Sequence, residues 1–128
     1  QASSHEVYGQ SLKGELTQGE NIADLGGVKL SLKALQHKLT TMPVEESSRN
    51  LNGFTQMQRF FLAWSQVWRQ NSTKENALAM VTLDPHGPSE LRCNNTLSNV
   101  PEFLEAFNVQ PTDPMGKYSD EKNRVNIW

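Results

Sequence analysis

The chain has 128 residues, of which 36% are hydrophobic, and its formal net charge at pH 7 is −2. This length fits one domain with a modest core. The near-neutral charge argues against a nucleic-acid module that depends on phosphate neutralisation. No apolar run is long enough to cross a bilayer, and the single cysteine, Cys93, cannot form a disulfide within the chain. Because the chain begins at Gln1 rather than methionine, we expect an N-terminal part, with any targeting signal, to precede it, and the compartment is not predictable.

The first half of the chain predicts one long helix between polar segments. Residues 1–15 are a polar lead-in, and Thr17-Gln18-Gly19-Glu20 has the pattern of a helix-starting capping box. Apolar residues then recur at spacings of three and four, at Ile22, Leu25, Val28, Leu32, Leu35 and Leu39. The pair Gly26-Gly27 inside this pattern predicts either a break or close packing against a neighbouring backbone. Residues 40–53 are predicted to form a polar loop.

The second half predicts three further helices and no sheet. Residues 54–70 carry an aromatic stripe at helical spacing, with Thr55 as the cap. Residues 74–83 follow Ser72 or Thr73 as the cap, and residues 84–88 form a proline-containing loop. Pro101 is expected at the first position of a short helix through residue 107, with Ser98 or Asn99 as its cap. The apolar end of the tail predicts that Trp128 docks on the fold.

The lead-in contains His5-Glu6-Val7-Tyr8-Gly9, which begins like the zinc-binding H-E-x-x-H helix. The second histidine of that motif is replaced by Gly9, which has no imidazole. We therefore interpret this stretch as a chance match.

Glu20 and Asp24 are four residues apart on the first predicted helix, so both carboxylates project from one face. One interpretation is a solvated face near a helix start, where a capping box and the helix dipole favour acidic residues. The other is chemical: one carboxylate binds Zn²⁺ and the second holds a ligating imidazole by its other N–H. The spacing leaves both interpretations open.

Asp84-Pro85-His86, followed by Arg92, forms a second polar group. A histidine and an arginine placed in this way could direct two donors at a developing oxyanion. Ordinary loop chemistry, with Asp84 capping a turn and Arg92 in a surface ion pair, explains the same residues. Cys93 is predicted to be a small buried residue rather than a nucleophile.

Taken together, the segments resemble the neprilysin family of zinc metallopeptidases. Residues 14–27, Gly-Glu-Leu-Thr-Gln-Gly-Glu-Asn-Ile-Ala-Asp-Leu-Gly-Gly, resemble the downstream metal-binding signature of that family. Three more stretches match in the same order: residues 60–68, residues 84–86 with Arg92, and residues 97–103, followed by the terminal tryptophan. The low cysteine content is more similar to the bacterial endopeptidase O type than to the disulfide-linked animal enzymes.

The resemblance implies a role for each site residue. Glu20 matches the third zinc ligand, and Asp24 matches the carboxylate that orients a zinc-bound histidine. His86 and Arg92 match the residues that stabilise the oxyanion and contact the substrate backbone, and Asp84 would orient His86. The implied fold is mainly α, the C-terminal helical part of a thermolysin-like catalytic domain, with residues 1–128 as a single partial domain.

The resemblance also implies that the chain is incomplete as an enzyme. The family's two zinc-binding histidines and its catalytic glutamate have no counterpart here, so we expect neither tight zinc binding nor activity from the chain alone. Its implied partners are a peptide substrate and the N-terminal part of the same protein, and the open face around Gly26 is expected to be locally loose or to self-associate. The alternative is a non-catalytic helical binding module, in which Glu20 is a helix cap and His86 a loop residue.

Overall fold

The computed structural model describes residues 6–127, which are mainly helical, so the predicted fold class is confirmed. Its elements in chain order are β1 (Glu6–Val7), β2 (Gln10–Ser11), α1 (Gly14–Thr41), α2 (Val44–Ser47), α3 (Gln56–Val67), α4 (Lys74–Leu83), α5 (Ser89–Ser98) and α6 (Pro101–Ala106). Two short 3₁₀ turns, Pro114–Gly116 and Glu121–Asn123, lie in the tail. No helix within the described residues is long and apolar enough to span a membrane.

The lead-in holds a small antiparallel hairpin that the sequence did not predict. β1 pairs with β2, and the turn between them has positive φ at Tyr8 (50°) and Gly9 (83°). Two successive residues of positive φ give the tight turn whose twist suits a hairpin. Gly9 therefore lies in a turn rather than in a zinc-binding helix, while His5 lies outside the described residues.

The first helix starts earlier than predicted. α1 begins at Gly14 after Lys13, which makes no side-chain cap, so the capping-box prediction for Thr17 and Glu20 was wrong. Thr17 is buried inside the first turns, where its hydroxyl accepts a hydrogen bond from Asn21 Nδ2 at 3.3 Å. The helix does not break at the glycine pair: Gly26 is buried, and an added Cβ at Gly27 would have no neighbour within 4 Å.

Two of the predicted caps are present because they depend on neighbouring residues alone. Thr55 and Gln58 form a reciprocal capping box at the start of α3, with N···O distances of 3.1 and 3.0 Å. Thr73, rather than Ser72, caps α4 by accepting from Asn76 N at 3.2 Å. The predicted loop of residues 40–53 is wrong in part, because it contains the short helix α2.

The sequence did not predict α5, the helix that bears Arg92. Its polar sequence has low helix propensity, but its inward face is buried and its polar side chains bond to their own backbone. Ser98 Oγ donates to Asn94 O at 2.7 Å, and Asn99 Nδ2 donates to Asn95 O at 2.8 Å. Asn99 ends this helix, so neither Ser98 nor Asn99 caps α6, whose N-cap is Val100. Pro101 begins α6 as predicted.

The core joins α1, α3, α5 and α6. Phe61 of α3 is 1% exposed, and Leu97 of α5 is equally buried. The ring of Phe61 meets Phe60 and Phe103 edge-on, with centroids 5.2 and 5.5 Å apart. The other core residues are Leu25, Val28, Leu32, Cys93, Val100, Phe103 and Leu104. Cys93 is therefore buried as predicted, while Trp128 lies outside the described residues. This packing holds α5 against α1 and so fixes the loop before α5 relative to Glu20.

Candidate active site

Glu20 and His86 come together from distant parts of the chain. Glu20 lies on α1, and His86 lies in the loop between α4 and α5. Glu20 Oε2 is 3.2 Å from His86 Nε2, and the two side chains are 43% and 39% exposed. The two residue groups that the sequence singled out separately therefore form one site.

Asp84 holds His86 from the other side of the ring. One carboxylate oxygen, Asp84 Oδ1, lies 2.7 Å from His86 Nδ1 and also accepts the backbone N–H of His86 at 2.9 Å. The backbone bond first, and the ring contact second, hold the pKa of the Asp84 carboxyl below its ordinary value of 3.8. Both ring nitrogens of His86 therefore face carboxylate oxygens, Nδ1 toward Asp84 and Nε2 toward Glu20.

Asp24 contacts Arg92 in a two-point ion pair. Arg92 Nε donates to Asp24 Oδ2 at 2.6 Å, and Nη2 donates to Oδ1 at 2.7 Å. The side chains are 17% and 10% exposed, so little water screens the pair. The hydrogen bonds to Asp24 are the main reason that the pKa of Arg92 is raised. In the described residues Asp24 thus holds Arg92, a contact that was not predicted. Its expected role toward a histidine remains a prediction.

Trp68 is a further site residue that was not predicted. The Cζ atom of Arg92 lies 4.1 Å from the centroid of the Trp68 ring, within the range of a cation–π contact. The sequence placed Trp68 in a core stripe by its spacing, and the ring is indeed half-buried against the core. Its contact with Arg92 could not be foreseen without α5.

A cleft of about 470 Å³ opens beside His86 and Arg92. Its apolar wall includes Ala77, Met80 and Val81 of α4 together with Trp68, and its polar wall includes Asp84, His86 and Arg92. A cleft with an apolar wall opposite convergent polar groups has the character of a small-molecule or peptide-side-chain site. The side chains of His86 and Arg92 both lie in its polar wall.

The donor set fits part of a zinc site. Within residues 6–127, no group of three or more histidine, cysteine, aspartate or glutamate side chains could hold a metal ion. A catalytic zinc site takes three protein ligands and keeps one position open. The accessible carboxylate of Glu20 fits one of those ligands, whereas both oxygens of Asp24, one turn further along the helix, accept from Arg92, and its supporting role stays a prediction.

The structure thus places two carboxylates of one helix opposite the loop of Asp84 and His86 and the helix that bears Arg92. The family model of peptidase family M13 matches residues 1–125, and the chain belongs to that family. This membership confirms the neprilysin-family prediction.

Known proteins of animal and bacterial origin resemble the chain. The chain is 36% identical to Neprilysin-3 of Drosophila melanogaster and 41% identical to human endothelin-converting enzyme 1. Each of these matches covers 100% of this chain but 16% of the relative. The neutral endopeptidase of Lactococcus lactis is 35% identical over 90% of this chain and 16% of its own length. The crystal structure of the Mycobacterium tuberculosis zinc metalloprotease Zmp1 with an inhibitor superposes with a TM-score of 0.82 at 40% identity, over 92% of this chain and 17% of that one. The chain thus spans about one sixth of the length of these relatives.

Proposed function

We propose that the chain forms part of the active site of a zinc metalloendopeptidase that hydrolyses oligopeptides. The observation that carries the proposal is that His86 and Arg92 line one cleft while Glu20, from a separate segment, contacts His86 at 3.2 Å. Family membership supports it, as does similarity to a neutral endopeptidase and to a zinc metalloprotease.

In this proposal Glu20 is one zinc ligand and the remaining ligands come from residues outside the chain. The chemistry that zinc supplies in such a site is polarisation of the peptide carbonyl and activation of water. Since the described residues offer no complete ligand set, the chain alone should neither hold zinc tightly nor cleave peptides.

The exposed surface of α1 next to Glu20 is suited to packing against another helix. Leu16, Ala23, Gly27 and Leu30 recur at helical spacing and are exposed, with Leu16 and Leu30 at 40% and 70%. The open space around Gly27 would let another helix approach closely. We place the helix with the missing ligands on this face. In the isolated chain the same face would favour self-association.

His86 and Arg92 are proposed to stabilise the oxyanion and to hold the peptide backbone. Asp84 holds the ring of His86 through Nδ1, and Nε2, which faces Glu20 Oε2 at 3.2 Å, is the nitrogen proposed to donate to substrate when Glu20 binds zinc. Asp24 engages Nε and Nη2 of Arg92, which leaves Nη1 for a carbonyl oxygen. Donors fixed before the reaction lower its barrier because they need no reorganisation as charge develops.

Two substitutions in the full-length protein test these roles. Glu20→Ala should lose bound zinc, whereas His86→Ala should retain zinc and KM while kcat falls about 100- to 1,000-fold, the usual cost of removing one oxyanion donor. The control is Glu15→Ala, because Glu15 is an exposed carboxylate on the same helix. Full zinc content in Glu20→Ala, or an unchanged kcat in His86→Ala, would reject the corresponding role.

A non-catalytic binding module remains the second candidate, since the chain lacks a complete ligand set within the described residues. Zinc titration of the full-length protein separates the two candidates. The peptidase requires tight binding that depends on Glu20, and the module requires no zinc binding at all.

A further inference from the structure

The guanidinium group of Arg92 is held from two directions. Asp24 accepts two hydrogen bonds from it, at 2.6 and 2.7 Å, and its Cζ atom lies over the face of the Trp68 ring, 4.1 Å from the ring centroid. Trp68 in turn meets Trp64 edge-on, with ring centroids 5.3 Å apart. The guanidinium is therefore contacted both from α1 and from the end of α3.

We propose that Trp68 is a positioning residue for Arg92: its indole face sets the tilt of the guanidinium, so that Nη1 points toward the substrate. The inference rests on the role proposed above for Arg92. Trp68 is not itself assigned any contact with the reacting atoms.

The geometry of the ion pair shows why a second support is needed. Two parallel hydrogen bonds to Asp24 fix the guanidinium within its own plane, but they leave it free to rock about the line that joins the two groups. The Trp68 ring, over whose face Arg92 Cζ lies, would restrict that motion and shield the cation from water. Without the ring, Nη1 would sample a range of directions while both bonds to Asp24 persisted.

The placement of the Trp68 indole favours a role of its ring face over a role of its Nε1–H group. Trp68 Nε1 is buried, and it has no hydrogen-bond partner among residues 6–127. Buried indole N–H groups usually find an acceptor, so the ring orientation here satisfies the contacts of its faces instead. Trp68 also ends α3, where its backbone is anchored by a bond to Gln66 O.

Hydrogen exchange at Arg92 Nε–H in the 128-residue chain tests the positioning without zinc or substrate. Trp68→Leu should speed this exchange about 5- to 30-fold, the range that corresponds to losing a partly desolvated cation–π contact. Trp68→Phe, which keeps a weaker ring, should show a smaller increase. Arg124 Nε–H, bonded to Tyr118 O at 2.8 Å, is the internal control and should not change.

An Arg92 exchange rate in Trp68→Leu equal to that of the wild type would overturn the proposal. If Trp68→Leu also loses the protection at Arg124, the fold has been disturbed and Trp68→Phe is measured instead. With normal protection at Arg124, an unchanged Arg92 exchange rate in Trp68→Phe overturns the proposal. A faster exchange at Arg92 alone supports it.

A double-mutant cycle in the full-length enzyme separates positioning from a role as a pocket wall. Trp68→Leu should lower kcat/KM about 5- to 30-fold for peptides with small side chains, and should cause no further loss in an Arg92→Ala background. The same loss in both backgrounds would show that Trp68 acts independently of Arg92 and would overturn the proposal. A wild-type protein without peptidase activity would reject the proposed function instead, while the exchange measurement would still stand.

Discussion

Replacing Asp24 by asparagine removes the charge from the most buried ion pair of the site. The asparagine oxygen can still accept one of the two hydrogen bonds from Arg92, but its NH₂ group then faces a guanidinium N–H. A hydrogen bond to a charged group contributes about 1.5–3 kcal/mol, and an uncompensated, largely buried cation adds to the loss. With the pair only 10–17% exposed, we expect Asp24→Asn to lower the free energy of unfolding by about 2–3 kcal/mol.

Urea unfolding of the 128-residue chain, followed by circular dichroism, measures this loss. The matched control is Glu105→Gln, which neutralises an exposed carboxylate on α6 and should stay within about 0.5 kcal/mol of the wild type. In the Arg92→Gln background, Asp24→Asn should cost much less, because the charge it leaves unpaired is absent. A loss for Asp24→Asn no larger than that of Glu105→Gln would refute the reasoning that this pair is buried and coupled.

Three further predictions concern local features of the fold. The pKa of the Asp84 carboxyl, measured by NMR, should lie below 3.8 and should rise in His86→Ala. The lowered pKa stabilises the fold at pH values above 3.8, and this stabilisation is lost as the pH falls through the lowered pKa. A measured pKa at or above 3.8 would contradict the observed contacts. Thr55→Ala should cost about 1 kcal/mol of unfolding free energy in urea, and no change would mean that the cap is not populated. Leu30→Lys should reduce self-association of the isolated chain, measured by sedimentation. A wild-type chain that is monomeric and sediments as the variant does would show that this face of α1 does not self-associate.

The sequence predicted the helices whose signals are local. Thr55, Thr73 and Pro101 mark their helices through contacts within three residues, and the structure places a helix after each. The polar helix α5 was missed because its stability comes from burial against α1, α3 and α6 rather than from propensity. The start of α1 was misplaced because Thr17 had the pattern of a cap but is turned inward.

The roles of the candidate site residues come from resemblance and stay predictions, while the contacts between these residues were not predicted. The resemblance placed Glu20 and His86 in one active site, but nothing in the sequence indicated that they lie 3.2 Å apart. The pairing of Asp24 with Arg92 joins positions 68 residues apart and depends on α5, which was not predicted. Trp68 was assigned to the core because aromatic residues at helical spacing are usually buried. Its contact with the guanidinium of Arg92 cannot be predicted from that spacing.

The most direct measurement of the central claim is an anomalous difference map at the zinc absorption edge, from crystals of the full-length protein. We expect a strong peak about 2.0–2.2 Å from a carboxylate oxygen of Glu20, with other protein ligands that lie outside this chain. A zinc peak that is not bonded to Glu20, or no peak in protein crystallised with zinc, would contradict the claim that this chain supplies a ligand of a catalytic zinc site.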